Sequence, residues 1–151
     1  MGTPARTSIL SNLSTTLATI TTGNGYNTTV LTVENEAKTW GDVPESQKPW
    51  VGYVPVAEVL QFLPGDQVRV ELPLDIICHV SGTTSSDRST KLNNLLDDII
   101  AALSVDTTRG SNAISTTVLS VDTDEGAPGA YDQGSMVLRV EVAFMRTSGQ
   151  S

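Results

Sequence analysis

Histidine and cysteine each occur once in this chain, and they are neighbours, Cys78 and His79. A thiol activated by an imidazole is a common nucleophile, but both groups must reach one substrate. They lie in the run Gln67–Val80, QVRVELPLDIICHV, which alternates apolar and polar residues with period two. Successive side chains of a strand point to opposite sides, so Cys78 and His79 diverge. Cys78 joins Val68, Val70, Leu72, Leu74, Ile76 and Val80 on the apolar side and reads as a small buried hydrophobe. His79 joins Arg69, Glu71 and Asp75 on the charged side and reads as a surface or interface histidine. A triad built on His79 needs a serine from elsewhere in the chain, and no nucleophile-elbow pattern is present.

The remaining clusters argue against other chemistries. Gly23-Asn24-Gly25 is half of a dinucleotide fingerprint, but a helix precedes it and a strand follows. A phosphate-cradling turn needs the reverse order, so that a helix N-terminus faces the anion; the cluster reads as a helix C-cap. Asp122, Asp124, Glu125 and Asp132 gather in one segment. Counted from Asp122, the sixth and twelfth positions are Ala127 and Gln133, where an EF-hand loop requires Gly and Glu. Asp97 and Asp98 are adjacent on a predicted helix, about 100° apart, and form no acid–base dyad. No Walker loop or HExxH occurs, and one cysteine precludes an intramolecular disulfide or a multi-cysteine metal site. No catalytic residue, metal ligand or cofactor is expected.

The elements that carry these residues are legible from periodicity. Thr3 and Pro4 can open a helix whose apolar positions are Ile9, Leu10, Leu13, Leu17 and Ile20. Thr28–Glu34 reads as a strand, Asn35–Pro49 as a loop, and Trp50–Val54 as a second strand. Val59–Leu63 is a further apolar piece before the turn Pro64-Gly65-Asp66. The long run Gln67–Val80 then implies either two segments hinged near Pro73 or a strand projecting beyond its domain with an unpaired edge. A second helix, capped by Ser85 or Ser86, carries the stripe Leu92, Leu95, Leu96, Ile99, Ile100 and Leu103, with Lys91, Asn94, Asp97 and Asp98 outward. Ala113–Val121 and Ser135–Thr147 close the chain as strands around the acidic loop Asp122–Gly134. The order α-β-β-β-α-β-β predicts an α+β fold, with two amphipathic helices on one face of a largely antiparallel or mixed sheet. If the long and last strands pair, Arg69 is expected opposite Glu141 and Glu71 opposite Arg139.

The 151 residues suit one domain and can bury a core without staples. A formal charge of −8, with scattered basic residues, disfavours free nucleic acid and anionic membranes as partners. No apolar run approaches a membrane span, and MGTPARTSIL has no basic region before an apolar block, so no secretory leader is expected. Aromatic residues are scarce, and Trp40 and Tyr131 fall in the two long loops, where no helix or strand pattern claims them. Both loops are therefore expected to be mobile in a free subunit and to order against a partner.

The chain resembles the tail terminator, or tail completion, proteins of long-tailed bacteriophages. The resemblance rests on the opening run ILSNLSTTLATI, on Gly23–Glu34, on VPESQKPWVGYVP, on the long alternating strand, on KLNNLLDDIIAAL, and on the closing LRVEVAFMRT. It implies a virion protein of the tail and neck region, assembled in the host cytoplasm. Such proteins form a homo-oligomeric ring, usually a hexamer, at the head-proximal end of the tail tube. The ring ends tube growth and meets the tail tube protein and the head–tail connector or stopper protein. No cofactor or catalytic residue comes with the resemblance. Interface candidates are Arg69, Glu71, Asp75, His79, Trp40 and Tyr131. Another neck or minor tail component and a small-molecule-binding α+β module are the alternatives; particle imaging separates the first, a pocket with convergent polar groups the second.

Overall fold

A computed structural model describes residues 5–82, 84–110, 112–123 and 134–147. Its elements are α1 (Ala5–Ala18), β1 (Thr32–Glu34), β2 (Trp50–Pro55), β3 (Val59–Phe62), β4 (Gln67–Val80), α2 (Ser85–Val105), β5 (Ser115–Thr123) and β6 (Gly134–Thr147). The fold is α+β, with a six-stranded mixed sheet in the order β1-β2-β4-β6-β5. Among the described strands, only β1 and β2 run parallel. The apolar piece after Pro55 is a sixth strand, because Val59–Phe62 pairs with Phe62 opposite Val68 and Val59 opposite Glu71.

The period-two pattern of β4 is realised over all 14 residues: the even positions from Val68 to Val80 are buried. They join Ile9, Leu13, Leu17 and Ile20 from the α1 region, and Leu92, Leu95, Ile99 and Leu103 of α2, in one core. Met136, Leu138, Val140, Val142 and Phe144 of β6 complete it. Both helices thus cover one sheet face. Burying each such side chain contributes roughly 1.5–3 kcal/mol.

β4 is neither hinged nor edge-exposed. β6 pairs with it along its whole length. On the other side, β3 covers Val68–Glu71 and β2 covers Leu74–His79. Pro73 sits where the partner changes. Its carbonyl accepts from the Val56 N–H (2.9 Å), and the donor that proline lacks falls at the β2–β3 junction, between the two ladders. Among the described residues, the free edges belong to β1, β3 and β5.

Local signals explain the boundaries. Thr84, not Ser85 or Ser86, caps α2: its hydroxyl accepts from the Asp87 N–H (3.0 Å), and Asp87 adds negative charge to the first turn. Gly23-Asn24-Gly25 does not cap α1, which ends at Ala18. It forms a 3-10 turn over Thr22–Asn24, closed by Gly25 at φ 91°. Thr28–Leu31 stays outside the ladder: Val30 N–H bonds Ile20 O and Leu31 N–H bonds Pro49 O. Thr3 and Pro4 lie outside the described residues.

Asp98, expected to face outward, is buried, and so is Arg109. Asp98 is 3% exposed, and its Oδ1 accepts from the Asn27 N–H (3.0 Å), which ties α2 to the segment after α1; Ile100, assigned to the stripe, is exposed instead. Arg109 is fully buried at φ 50°. Its guanidinium donates to the carbonyls of Leu103 (2.8 Å) and Asp106 and to Thr16 Oγ1 (3.2 Å), satisfying the C-terminal carbonyls of α2 and joining that end to α1. Asp106 receives the Thr108 hydroxyl and the N–H groups of Gly110 and Thr108, which hold its carboxyl below its ordinary value.

Candidate interaction surface

The sheet face opposite the helices divides into two halves. At the β2 end the chain covers itself. Trp50 and His79 face each other in register and stack, with ring centroids 5.2 Å apart and planes 16° apart. The segment between β1 and β2 packs over them. Trp50 Nε1–H donates to Glu34 Oε1 (2.7 Å), and Trp40 Nε1–H donates to the Val80 carbonyl (2.8 Å). The Trp50 indole, with the Lys38 ammonium, holds the Glu34 carboxyl below its ordinary value. Gly52 is required beneath this cover, because a Cβ there would lie 2.3 Å from both Trp50 Cη2 and the Glu36 carbonyl oxygen.

His79 is consequently 3% exposed and is not a surface histidine. Its Nε2 lies 2.6 Å from the Lys38 carbonyl, which can only accept, so Nε2 carries the proton. Nδ1 then accepts from the Ser135 hydroxyl at 2.8 Å. Burial pushes the imidazole pKa below its ordinary value; the Lys38 carbonyl opposes this, and the nearby Lys48 ammonium adds to it. The fold therefore supplies the serine that a triad would need, directly across on β6. The contact reads as structural. The base is buried under Trp50 and made less basic, and a backbone carbonyl, not a carboxylate, orients it. Cys78 faces the core on the other side, where burial pushes its thiol up, away from thiolate chemistry.

Trp40 is half-buried and its N–H is committed within the subunit. Trp40, which no helix or strand pattern claimed, is thus held by a hydrogen bond within the subunit. The segment forms two 3-10 turns, Trp40–Asp42 and Glu45–Gln47, and buries Val43 and Lys48. Tyr131, Asp124, Glu125 and Asp132 lie outside the described residues.

The other half of this face is open and charged. Arg69, Glu71 and Asp75 are partly exposed along β4, as expected. Their partners differ. The strands pair antiparallel, but Asp75 is opposite Arg139, with Nε to Oδ1 at 2.5 Å. Glu141 faces Pro73, four residues along from Arg69; Glu71 faces Ala143; and Arg69 lies 3.8 Å from Glu71 on its own strand. The facing was legible from parity, whereas the register was not.

Beyond the charged half lies an apolar end that pattern reading passed over. All four residues of β3 are exposed. Leu60 and Phe62 sit opposite Val70 and Val68, on the helix side, yet Phe62 is 72% exposed where Val68 and Val70 are buried. Glu58 fixes this end in place, ion-paired to Arg6 of α1 (3.1 Å) and Arg146 of β6 (3.7 Å). On the opposite side of the sheet, β5 has a bulge between Val118 and Ser120, and Leu119 and Val121 are exposed. Among the described residues no group of three His, Cys, Asp or Glu could hold a metal ion, and no helix is long and apolar enough to cross a membrane.

No protein-family model matches the chain, and no curated protein sequence matches it.

Proposed function

We propose that this chain is a structural protein of a phage tail, forming a ring at the head-proximal end of the tail tube that ends tube growth and joins tail to head connector. The reading comes from the sequence resemblance and includes no catalysis and no cofactor. One observation supports it most: among the described residues, two apolar strand edges are left uncovered on opposite sides of the sheet, β3 with Val59, Leu60 and Phe62, and β5 with Leu119 and Val121. A closed ring needs two different patches per subunit, one meeting the other on the next copy. Arg69 and Glu71 lie on the open face beside β3, with Asp75 further along the same face, and would set register at such a contact. His79 and Trp40 leave the interface set, since the subunit uses them itself.

At −8 per subunit, long-range repulsion opposes association at low salt, and a Debye length of about 10 Å at 0.1 M removes most of it. Light scattering should show oligomer content rising with salt or with tail tube present, and electron microscopy should show rings. A monomer under every condition, together with a particle map containing no ring of this chain, refutes the reading.

A further inference from the structure

A polar cleft of about 360 Å³ opens between the start of α2, the end of β4 and the segments around Asn27 and Lys48. Its walls carry two of the chain's three lysines, Lys48 and Lys91, and no acidic residue, in a protein with 17 carboxylate side chains. Lys91 is already engaged, through the Ser81 carbonyl (2.8 Å) and Asp87 (3.3 Å). Lys48 is different. It is only 6% exposed, its ammonium lies 3.3 Å from the centroid of the Trp40 ring, and among the described residues no carboxylate forms an ion pair with it.

A buried ammonium held by one aromatic ring is incompletely compensated. Every other lysine and arginine of the chain has a carboxylate or carbonyl partner. The carboxamides of Asn27 and Asn94 also line the cleft and make no side-chain hydrogen bond to a described residue. A buried cation, a second cation at the wall and two free carboxamides thus surround a space at the small end of ligand-sized pockets. Burial also pulls the Lys48 pKa down, against a smaller opposing pull from the Glu45 carboxylate, which forms no ion pair with it.

We propose that this cleft is an anion site that takes a small ligand bearing one carboxylate or phosphate group, with Lys48 as the principal counter-charge and Asn27 and Asn94 as neutral hydrogen-bonding partners. The site is independent of the tail reading, since it lies within one subunit and needs no ring.

Trp40 provides the reporter: its indole N–H bonds Val80 O, and Val80 lines the cleft. The full-length protein, labelled with nitrogen-15, is titrated with sodium phosphate and, separately, with sodium glutamate, each against sodium chloride at matched ionic strength. The site predicts saturable shifts of the Trp40 indole and of the Ser81 and Asn94 amides. Saturation by phosphate alone identifies a phosphate site, and by glutamate alone a carboxylate site. Lys48→Met keeps an unbranched side chain, removes the charge, and should weaken binding by roughly tenfold or more. Lys91→Met, at the more exposed position, should weaken it less. Shifts that stay linear, match those of chloride, or scatter away from the cleft overturn the proposal. So does unchanged affinity in Lys48→Met. Should that variant not fold, the wild-type titration still decides.

Discussion

Gly52→Ala probes the self-covered half of the sheet with one methyl group. Gly52 lies on β2 opposite Ile77, on the face covered by the segment before Trp50. An added Cβ would meet Trp50 Cη2 and the Glu36 carbonyl oxygen at 2.3 Å each, and Trp50 Cζ3 at 2.8 Å. Overpacking of this kind usually costs about 1–3 kcal/mol. The upper end applies here, because one obstacle is backbone and the other is a ring held by Glu34 and stacked on His79. We expect a loss of about 3 kcal/mol in urea unfolding with the m-value unchanged, or roughly 6–12 °C in Tm for a chain of this size. Trp50→Leu removes the ring obstacle and leaves the Glu36 carbonyl, so the double variant should be less destabilised than the sum of the single changes. Amide exchange should quicken over Asn35–Pro49 while the helix core stays protected. A Gly52→Ala protein within about 0.5 kcal/mol of the parent would refute this packing.

The same packing sets four further outcomes. His79 has a lowered folded pKa, so the unfolded imidazole binds protons more readily; its contribution is fully present above about pH 6.5 and is lost as pH falls below that value, with a slope of at most about 1.4 kcal/mol per pH unit. Urea unfolding between pH 5 and 7 should show this slope, and His79→Gln should lack it. A double-mutant cycle on Asp75 and Arg139 should give about 0.2–1 kcal/mol and a cycle on Arg69 and Glu141 close to zero; the reverse would show a different β4–β6 register. Arg109→Met should cost about 1–3 kcal/mol by leaving the Leu103 and Asp106 carbonyls unsatisfied, with faster exchange at the end of α2, and Arg109→Lys should restore only part. Phe62→Ser should leave monomer stability within about 0.5 kcal/mol yet suppress oligomers in light scattering; loss of stability instead would place Phe62 in the core.

Periodicity alone determined the α+β class and the two faces of β4 and β6, because apolar spacing is a local property that burial must respect. Leu92, Leu95, Ile99 and Leu103 announced the buried side of α2, and the even positions of Gln67–Val80 announced the helix-covered side of β4. Parity also placed Cys78 and His79 back to back. Only the tertiary structure decided what lies over each face. His79 carries the same strand phase as Arg69 and Asp75 but is buried, because the segment carrying Lys38 folds over it and Trp50 and Ser135 flank it on the neighbouring strands. Asp98 is buried because Asn27 presents an N–H to it, and Arg109 because the end of α2 offers carbonyls. Register is likewise non-local: shifting β6 by four residues preserves every in–out assignment, so alternation could not distinguish Arg69–Glu141 from Asp75–Arg139. The exposure of Phe62 has the same origin. Its type and phase match a core residue, and it is exposed because the helix layer does not extend over β3, a length relation between elements far apart in the chain.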